Sequence, residues 1–359
     1  MTIIVVLIFV FLLLVIAGIP IAFCFGITSA FYLFSVMPDN NAIIISRSFG
    51  AIDSFPLMAI PFFILAGDIM KEGGISRYLV SLVNIFVGKI RGGLAHVNVL
   101  ASTFFGAISG SSAATVAAIG GIMIPEMVKR GYDRNYAVVV SAASGFIGIL
   151  IPPSVPLIVY GMNAEVSIMR LFLAGIVPGI LMALGFMTVN YFMTPLYSTG
   201  TKENNFPSVD TLEKNKGQTA AKAIPAMIMP LIILGGIYSG VFTPTEAGAV
   251  AVIYGILVSI FYYRSMGTAK LIKVSSMSAL TSAVILLIIS LAGVFGWIIT
   301  IERVPALLTG FVTSLTQSPI IVLLIFKYNL FSFRSFFGNN YSYSYYHAHF
   351  FTVDFGFGH

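Results

Sequence analysis

Apolar residues fall along this chain in long unbroken runs separated by short polar breaks, at Ile3–Met37, Phe55–Met70, Leu94–Ile124, Tyr136–Tyr160, Leu171–Leu196, Ala223–Val241, Ala247–Tyr263, Met277–Thr300 and Val304–Phe326. Unbroken runs of this kind predict membrane-spanning helices, whereas the strands of a membrane barrel would alternate apolar and polar positions. Two runs are too long for one straight crossing. As a single helix, Ile3–Met37 would rise ~52 Å against a hydrocarbon core of ~30 Å, so Gly18-Ile19-Pro20 at its centre predicts a break. Leu94–Ile124 carries Ser109-Gly110-Ser111-Ser112 in its middle. Non-helical backbone at membrane depth persists only inside protein or beside a water-filled cavity. The run therefore predicts a re-entrant helical hairpin whose two arms return to one side.

Charge tests that reading. If Leu94–Ile124 returns, Lys71, Arg77, Lys89, Arg91, Lys129, Arg130, Arg134, Lys202, Lys214, Lys216, Lys222, Arg264, Lys270 and Lys273 share one side, and Arg47, Arg170 and Arg303 take the other. Fourteen against three follows the positive-inside rule, while a single crossing leaves the split weak. Only 9% of the residues are charged, and mean hydropathy is +0.99. Water-exposed domains carry about 25% charged residues, so most of this surface faces the lipid bilayer. The net charge of +6 is spread through loops and forms no one-sided patch of the kind that binds nucleic acid. Cys24 is alone, so no disulfide framework arises. The N-terminus lacks a basic leader and a cleavage site, which predicts a retained membrane segment.

Candidate chemistry gathers at two places. Gly106-Ala107-Ile108-Ser109-Gly110-Ser111-Ser112-Ala113-Ala114-Thr115 offers close backbone approach, hydroxyl oxygens and helix ends. A small-residue face packing against another helix would use the same residues. Downstream, Ser141-Ala142-Ala143-Ser144-Gly145-Phe146-Ile147-Gly148-Ile149-Leu150-Ile151-Pro152-Pro153-Ser154 places two glycines before a Pro-Pro pair. Proline has no N–H to give, so carbonyls there lose their helical donors, as in a broken helix lining an ion site or in a simple kink. Glu246, two residues past Pro244, suits a capping role at a helix N-terminus, with gating or coupling as the alternative. Asp68 and Glu126 lie near run ends and read as interfacial. Neither HExxH, Walker A nor GxSxG occurs. No enzyme activity is expected, and without an ATP site the energy for transport comes from an ion gradient or a partner chain.

The strings FFGAISGSSAATVAAIGGIMIPEM, SAASGFIGILIPPSVPLIVYG, IYSGVFTPTEAGAVAV, AIPFFILAGDIMKEGGISRYLV and GKIRGGLAHVNVLAS resemble the large, DctM-like permease subunit of tripartite ATP-independent periplasmic (TRAP) transporters, over about residues 1–325. That resemblance implies an all-α, elevator-type membrane transporter of the bacterial inner membrane, importing a small organic acid such as a C4-dicarboxylate or a sialic acid. It implies sodium as the coupling ion and no further cofactor. A soluble periplasmic solute-binding protein and a small four-helix membrane subunit would be its partners. A sodium site would be formed by Ser109, Gly110, Ser111 and Ser112 with backbone of Gly145, Gly148, Ile151 and Pro153. The organisation expected is a scaffold-type segment 1–93, the hairpin and broken helix at 94–170, central helices at 171–275, further helices at 276–326 and a distinct tail at 327–359. No second hairpin or second Pro-Pro break follows, and beyond Phe326 the composition turns to Phe, Tyr, Ser and His. A shifted reading frame with early termination would produce that change. The alternatives are then a truncated, non-transporting subunit and, further off, the membrane part of an ATP-driven importer.

Overall fold

The computed structural model describes residues 2–40, 42–198 and 216–316, together with 318, 320–322, 324, 325, 327 and 328. Lys202, Lys214 and the tail from residue 329 lie outside the described residues. The first helices are α1 (Thr2–Ile16), α2 (Ile21–Val36), α3 (Ala42–Ile52), α4 (Ala59–Glu72), α5 (Ile75–Val87) and α6 (Gly93–Ser109). There follow α7 (Ser112–Thr115), α8 (Gly121–Lys129), α9 (Arg134–Phe146), α10 (Val155–Asn163) and α11 (Ile168–Tyr197). The last are α12 (Lys216–Tyr238), α13 (Pro244–Leu257), α14 (Thr268–Ile301) and α15 (Val304–Leu315). Among the described residues five helical stretches are long and apolar enough to cross a membrane, Ser112–Lys129, Ile168–Tyr197, Ala221–Tyr238, Pro244–Tyr262 and Thr268–Ile301, and the bent pair Ala42–Ile52 with Phe55–Glu72 would make a sixth. The described residues contain no strand, only an isolated bridge between Tyr132 and Ser198. This is an all-α polytopic membrane protein.

Chain contacts separate into two units, the first built from Met1–Asp53 with Val284–His359 and the second from Ser54–Ala283. In the first, the predicted break is present: α1 ends at Ile16, Gly18 takes a φ of 78° that suits glycine, and Pro20 precedes α2. Leu7, Tyr32, Leu33, Val294 and Ile298 form its core. Phe11, Phe25 and Phe295 meet with ring centroids 5.0–5.4 Å apart. The buried Tyr32 hydroxyl donates to Glu302, and the Arg47 guanidinium lies 5.0 Å over Trp297.

The second unit holds the hairpin. Fourteen of the seventeen residues of α6 are buried, and a helix covered on all sides belongs to a protein interior rather than a lipid-facing wall. At the break that follows, Gly110 is buried, Ser111 and Ser112 are half-buried and Ala113 is exposed, so protein backs the irregular backbone on one side only. Gly110, at φ 60°, ends α6, and the Ser111 hydroxyl caps α7 by accepting from Ala114 N at 3.3 Å. The return arm continues through a π turn at Val116–Gly120 into α8. Ser109 meets Thr115 at 3.2 Å near the tip, while Asn98 Nδ2 lies 3.8 Å from the Met127 sulfur further down. Those paired positions run in opposite directions along the chain, so the arms are antiparallel and both ends of the hairpin lie together.

Some elements differ from expectation, α3 at Ala42–Ile52 among them, since it lies outside every apolar run. Residues 75–87, which fall between the apolar runs, form α5. Its Ile75, Leu79, Val80, Leu82 and Val83 are buried at helical spacing, and it packs on α6 and α12. The run expected from Met277 begins at Thr268, because Thr268–Ser276 offers residues that a helix accepts and no breaker.

Candidate functional site

The broken helix forms as its sequence requires. α9 stops at Phe146, Ile147–Ile149 makes one tighter turn, and α10 restarts at Val155 beneath a Ser154 cap. Four residues after Gly148 and Ile149 stand Pro152 and Pro153, which have no N–H to return. Ile149 is compensated by the Ser154 hydroxyl, which donates to its carbonyl at 2.7 Å. Gly148 has no such helical donor, so its oxygen remains available to another partner.

The break meets the hairpin tip backbone to backbone. A methyl group on Gly106 would fall 2.4 Å from Gly148 Cα, and one on Gly110 would fall 2.6 Å from the Pro153 carbonyl oxygen. Val155 N donates to the Gly110 carbonyl at 3.3 Å. A methyl on Gly145 would sit 3.3 Å from the Ser112 carbonyl oxygen, and one on Gly148 would lie 3.4 Å from that of Ser111 and 2.6 Å from Thr115 Oγ1. Thus Ser109, Gly110, Ser111 and Ser112 come together with Gly145, Gly148 and Pro153. Ile151 is placed differently: its side chain packs against Gly179 and joins Val99, Ala107, Ile147 and Ala183 in a core, leaving only its carbonyl for a site.

Oxygens concentrate at the tip. Thr115 Oγ1 donates to the Ser111 carbonyl at 2.8 Å, and Ser109 Oγ lies 3.4 Å from that carbonyl and 3.2 Å from Thr115 Oγ1. Ser109 and Thr115 are buried, at 1% and 0% exposure. All these donors are uncharged hard oxygens, a set suited to a monovalent cation and to no soft metal. The described residues hold no group of three His, Cys, Asp or Glu able to bind a metal ion.

Several contributors lie outside the ligand set expected from the resemblance. Thr115 belongs to the knot only because α7 restarts at Ser112 and brings it back to Ser109. Gly67 of α4 supports the tip from behind, a methyl there falling 2.9 Å from Ser109 Cβ. Asn98 ties α6 to α9 through Ser141 Oγ at 2.6 Å, with Ser102 Oγ donating to Asn98 Oδ1 at 3.4 Å; a buried amide in an apolar run was the available signal. An open cavity of about 400 Å³ lies elsewhere in this unit, between Phe55, Met162, Glu165 and Thr243–Thr245. Glu246 takes the capping role. Its carboxylate accepts from Thr243 N and Oγ1, both at 2.8 Å, and Thr243 Oγ1 accepts from Glu246 N at 3.3 Å. Glu126 pairs with Arg130 at 3.2 Å, and half-buried Asp68 accepts from the Ser278 hydroxyl at 2.6 Å.

The family described as "Tripartite ATP-independent periplasmic transporter, DctM component" matches residues 7–337, nearly the whole chain. The chain belongs to this family. The permease is 40% identical over 319 residues to the YgiK protein of Salmonella typhimurium, covering 88% of this chain and 72% of that one. It is 39% identical over 317 residues to the isethionate TRAP transporter permease protein DctMQ of Oleidesulfovibrio alaskensis, covering 88% of this chain and 49% of that one. The C4-dicarboxylate TRAP transporter large permease protein DctM of Pseudomonas aeruginosa is 39% identical over 301 residues, with 84% of this permease and 69% of the relative covered. The chain is a multi-pass transporter component of the TRAP large-permease type.

Proposed function

We propose that this permease couples uptake of a small organic acid to sodium, with the junction of hairpin tip and broken helix as the coupling site. The observation that carries the reading is the cluster of Ser109, Ser111 and Thr115 oxygens within hydrogen-bonding reach of one another, with Ser111 and Thr115 packed beside Gly148, where the helix is broken. A hard cation takes neutral hydroxyl and carbonyl oxygens readily. Once bound, it leaves positive charge facing a helix N-terminus, and both attract a carboxylate. The relatives named for C4-dicarboxylate, isethionate and sialic acid all concern organic anions. The family description, tripartite and periplasmic, supports two further components; in this reading they are a small four-helix membrane subunit and a periplasmic solute-binding protein, working with the permease in the bacterial inner membrane.

The test is uptake of a labelled carboxylic acid into proteoliposomes holding the permease, its small membrane subunit and the matching binding protein. Uptake is expected to require an inward sodium gradient. Ser109→Ala and Thr115→Ala each remove one oxygen, at about 1.4 kcal/mol, and are expected to raise the half-saturating sodium concentration roughly tenfold. Uptake unchanged when potassium replaces sodium would sink the coupling ion; an unaltered sodium requirement in both variants would sink the site.

A further inference from the structure

We infer that Asn98 is a positioning residue for cation binding: its buried amide fixes the register in which the hairpin arm α6 lies along the broken helix, and so sets Ser111 and Thr115 beside Gly148. The inference rests on the sodium site proposed above. Both helices run in the same direction along one seam, since Asn98 meets Ser141 and, further along both, Gly106 meets Gly148. Asn98 and Gly106 are eight positions apart, and Ser141 and Gly148 are seven apart. Each spacing is close to two turns of helix, so the same two faces touch at both levels. The contacts differ in kind. Gly106 and Gly148 bring bare backbones together, a methyl on the first falling 2.4 Å from Cα of the second. Such a contact sets how closely the helices approach but gives no direction along the seam. The amide does, because a hydrogen bond needs its donor and acceptor at one level.

Asn98 stands where three helices join. Its Nδ2 donates to Ser141 Oγ on α9 at 2.6 Å and lies 3.8 Å from the Met127 sulfur on α8. Its Oδ1 accepts from Ser102 Oγ at 3.4 Å. The returning arm is close here too, since a methyl on Gly120 would fall 3.3 Å from Ser141 Cβ. Asn98 is 0% exposed, and Ser102 and Ser141 are 1% exposed. A buried amide gives up its water for protein partners, so its net gain in stability is small. What a buried asparagine between helices supplies is register, at some cost in stability. At the tip end of the junction Val155 N, donating to the Gly110 carbonyl at 3.3 Å, makes the other directional tie. Between these two ties the glycines could slide; with both in place they cannot.

The test titrates the full chain in neutral detergent with sodium chloride against choline chloride at constant ionic strength, reading the unfolding temperature. Sodium is expected to raise that temperature in the unaltered chain. In Asn98→Leu, which removes the amide and keeps the packing, the sodium-free temperature should hold or rise. The half-saturating sodium concentration should nevertheless increase about tenfold, the low end of the ~10–100-fold effect of groups that orient a metal's ligands. A merely structural contact gives no such separation. Ser141→Ala removes the acceptor from the other helix and should shift the sodium midpoint by a similar factor, which keeps the test readable if Asn98→Leu does not fold. Ser282→Ala, on α14, deletes a buried hydroxyl that donates within its own helix at 2.7 Å and should leave the midpoint unchanged. An unaltered midpoint in Asn98→Leu and Ser141→Ala overturns the role of Asn98 and leaves the sodium site standing. A shift in Asn98→Leu that comes only with a lower sodium-free temperature overturns it as well. No effect of sodium on the unaltered chain removes the site itself, and with it anything for Asn98 to position.

Discussion

At Gly106 the side chain is a hydrogen atom because the backbone of Gly148 stands where a methyl group would go, 2.4 Å away. Gly106→Ala must push the hairpin arm off the broken helix, and overpacking of this kind costs about 1–3 kcal/mol. A lower unfolding temperature in detergent is the expected outcome. Gly121→Ala, with open space around it, should hold or raise that temperature, since alanine favours helix there. How much of this is legible in sequence depends on the chemistry of each residue. Ser109, Ser111 and Ser112 can be read because hydroxyls in the middle of an apolar run have to be satisfied somewhere. Gly106 reads only as one small residue among several, for nothing local says which glycine faces another backbone. Thr115 falls within the tip segment read from sequence, but its pairing with Ser109 depends on where the helix restarts.

Elements were legible where their punctuation is chemical. Pro244 with Thr243 and Glu246 announces a helix start, and the reciprocal bonds between Thr243 and Glu246 close that end of α13. Thr243→Ala removes one half of the box and is expected to cost about 0.5–2 kcal/mol, measured as a fall in the denaturation midpoint. The Pro152-Pro153 break was equally plain. By contrast, α5 lies in a stretch whose Arg77 and Asn84 interrupt the apolar run and whose length falls short of a crossing. A scan for membrane spans passes over it, although its apolar residues recur at helical spacing. The polar ties of α6 to α9, through Asn98 and Ser141, depend on which helices become neighbours, and that is a tertiary fact.

For the whole molecule, topology was read by counting charges, and the antiparallel arms of the hairpin agree with the count by bringing Lys89 and Arg91 to the same end as Lys129 and Arg134. Single cysteines test the sidedness in a Cys24→Ala background. Arg134→Cys should react with a membrane-impermeant maleimide only in inverted vesicles, and Ala164→Cys only in right-side-out spheroplasts; the reverse pattern would invert the topology. The division into two units runs through α14 at residues 283 and 284, which no local pattern announces, since that helix is apolar on both sides of the boundary. The absence of a carboxylate from the oxygen knot of Ser109, Ser111 and Thr115 has an electrical consequence. A set of neutral dipoles has no fixed charge, so in the proposed sodium-coupled uptake the empty site itself contributes no charge for the membrane potential to act on. The loaded stroke carries the sum of cation and solute charges, and the potential then does about 2.3 kcal/mol of work per net charge for each 100 mV. At this site, voltage would act through the cargo alone.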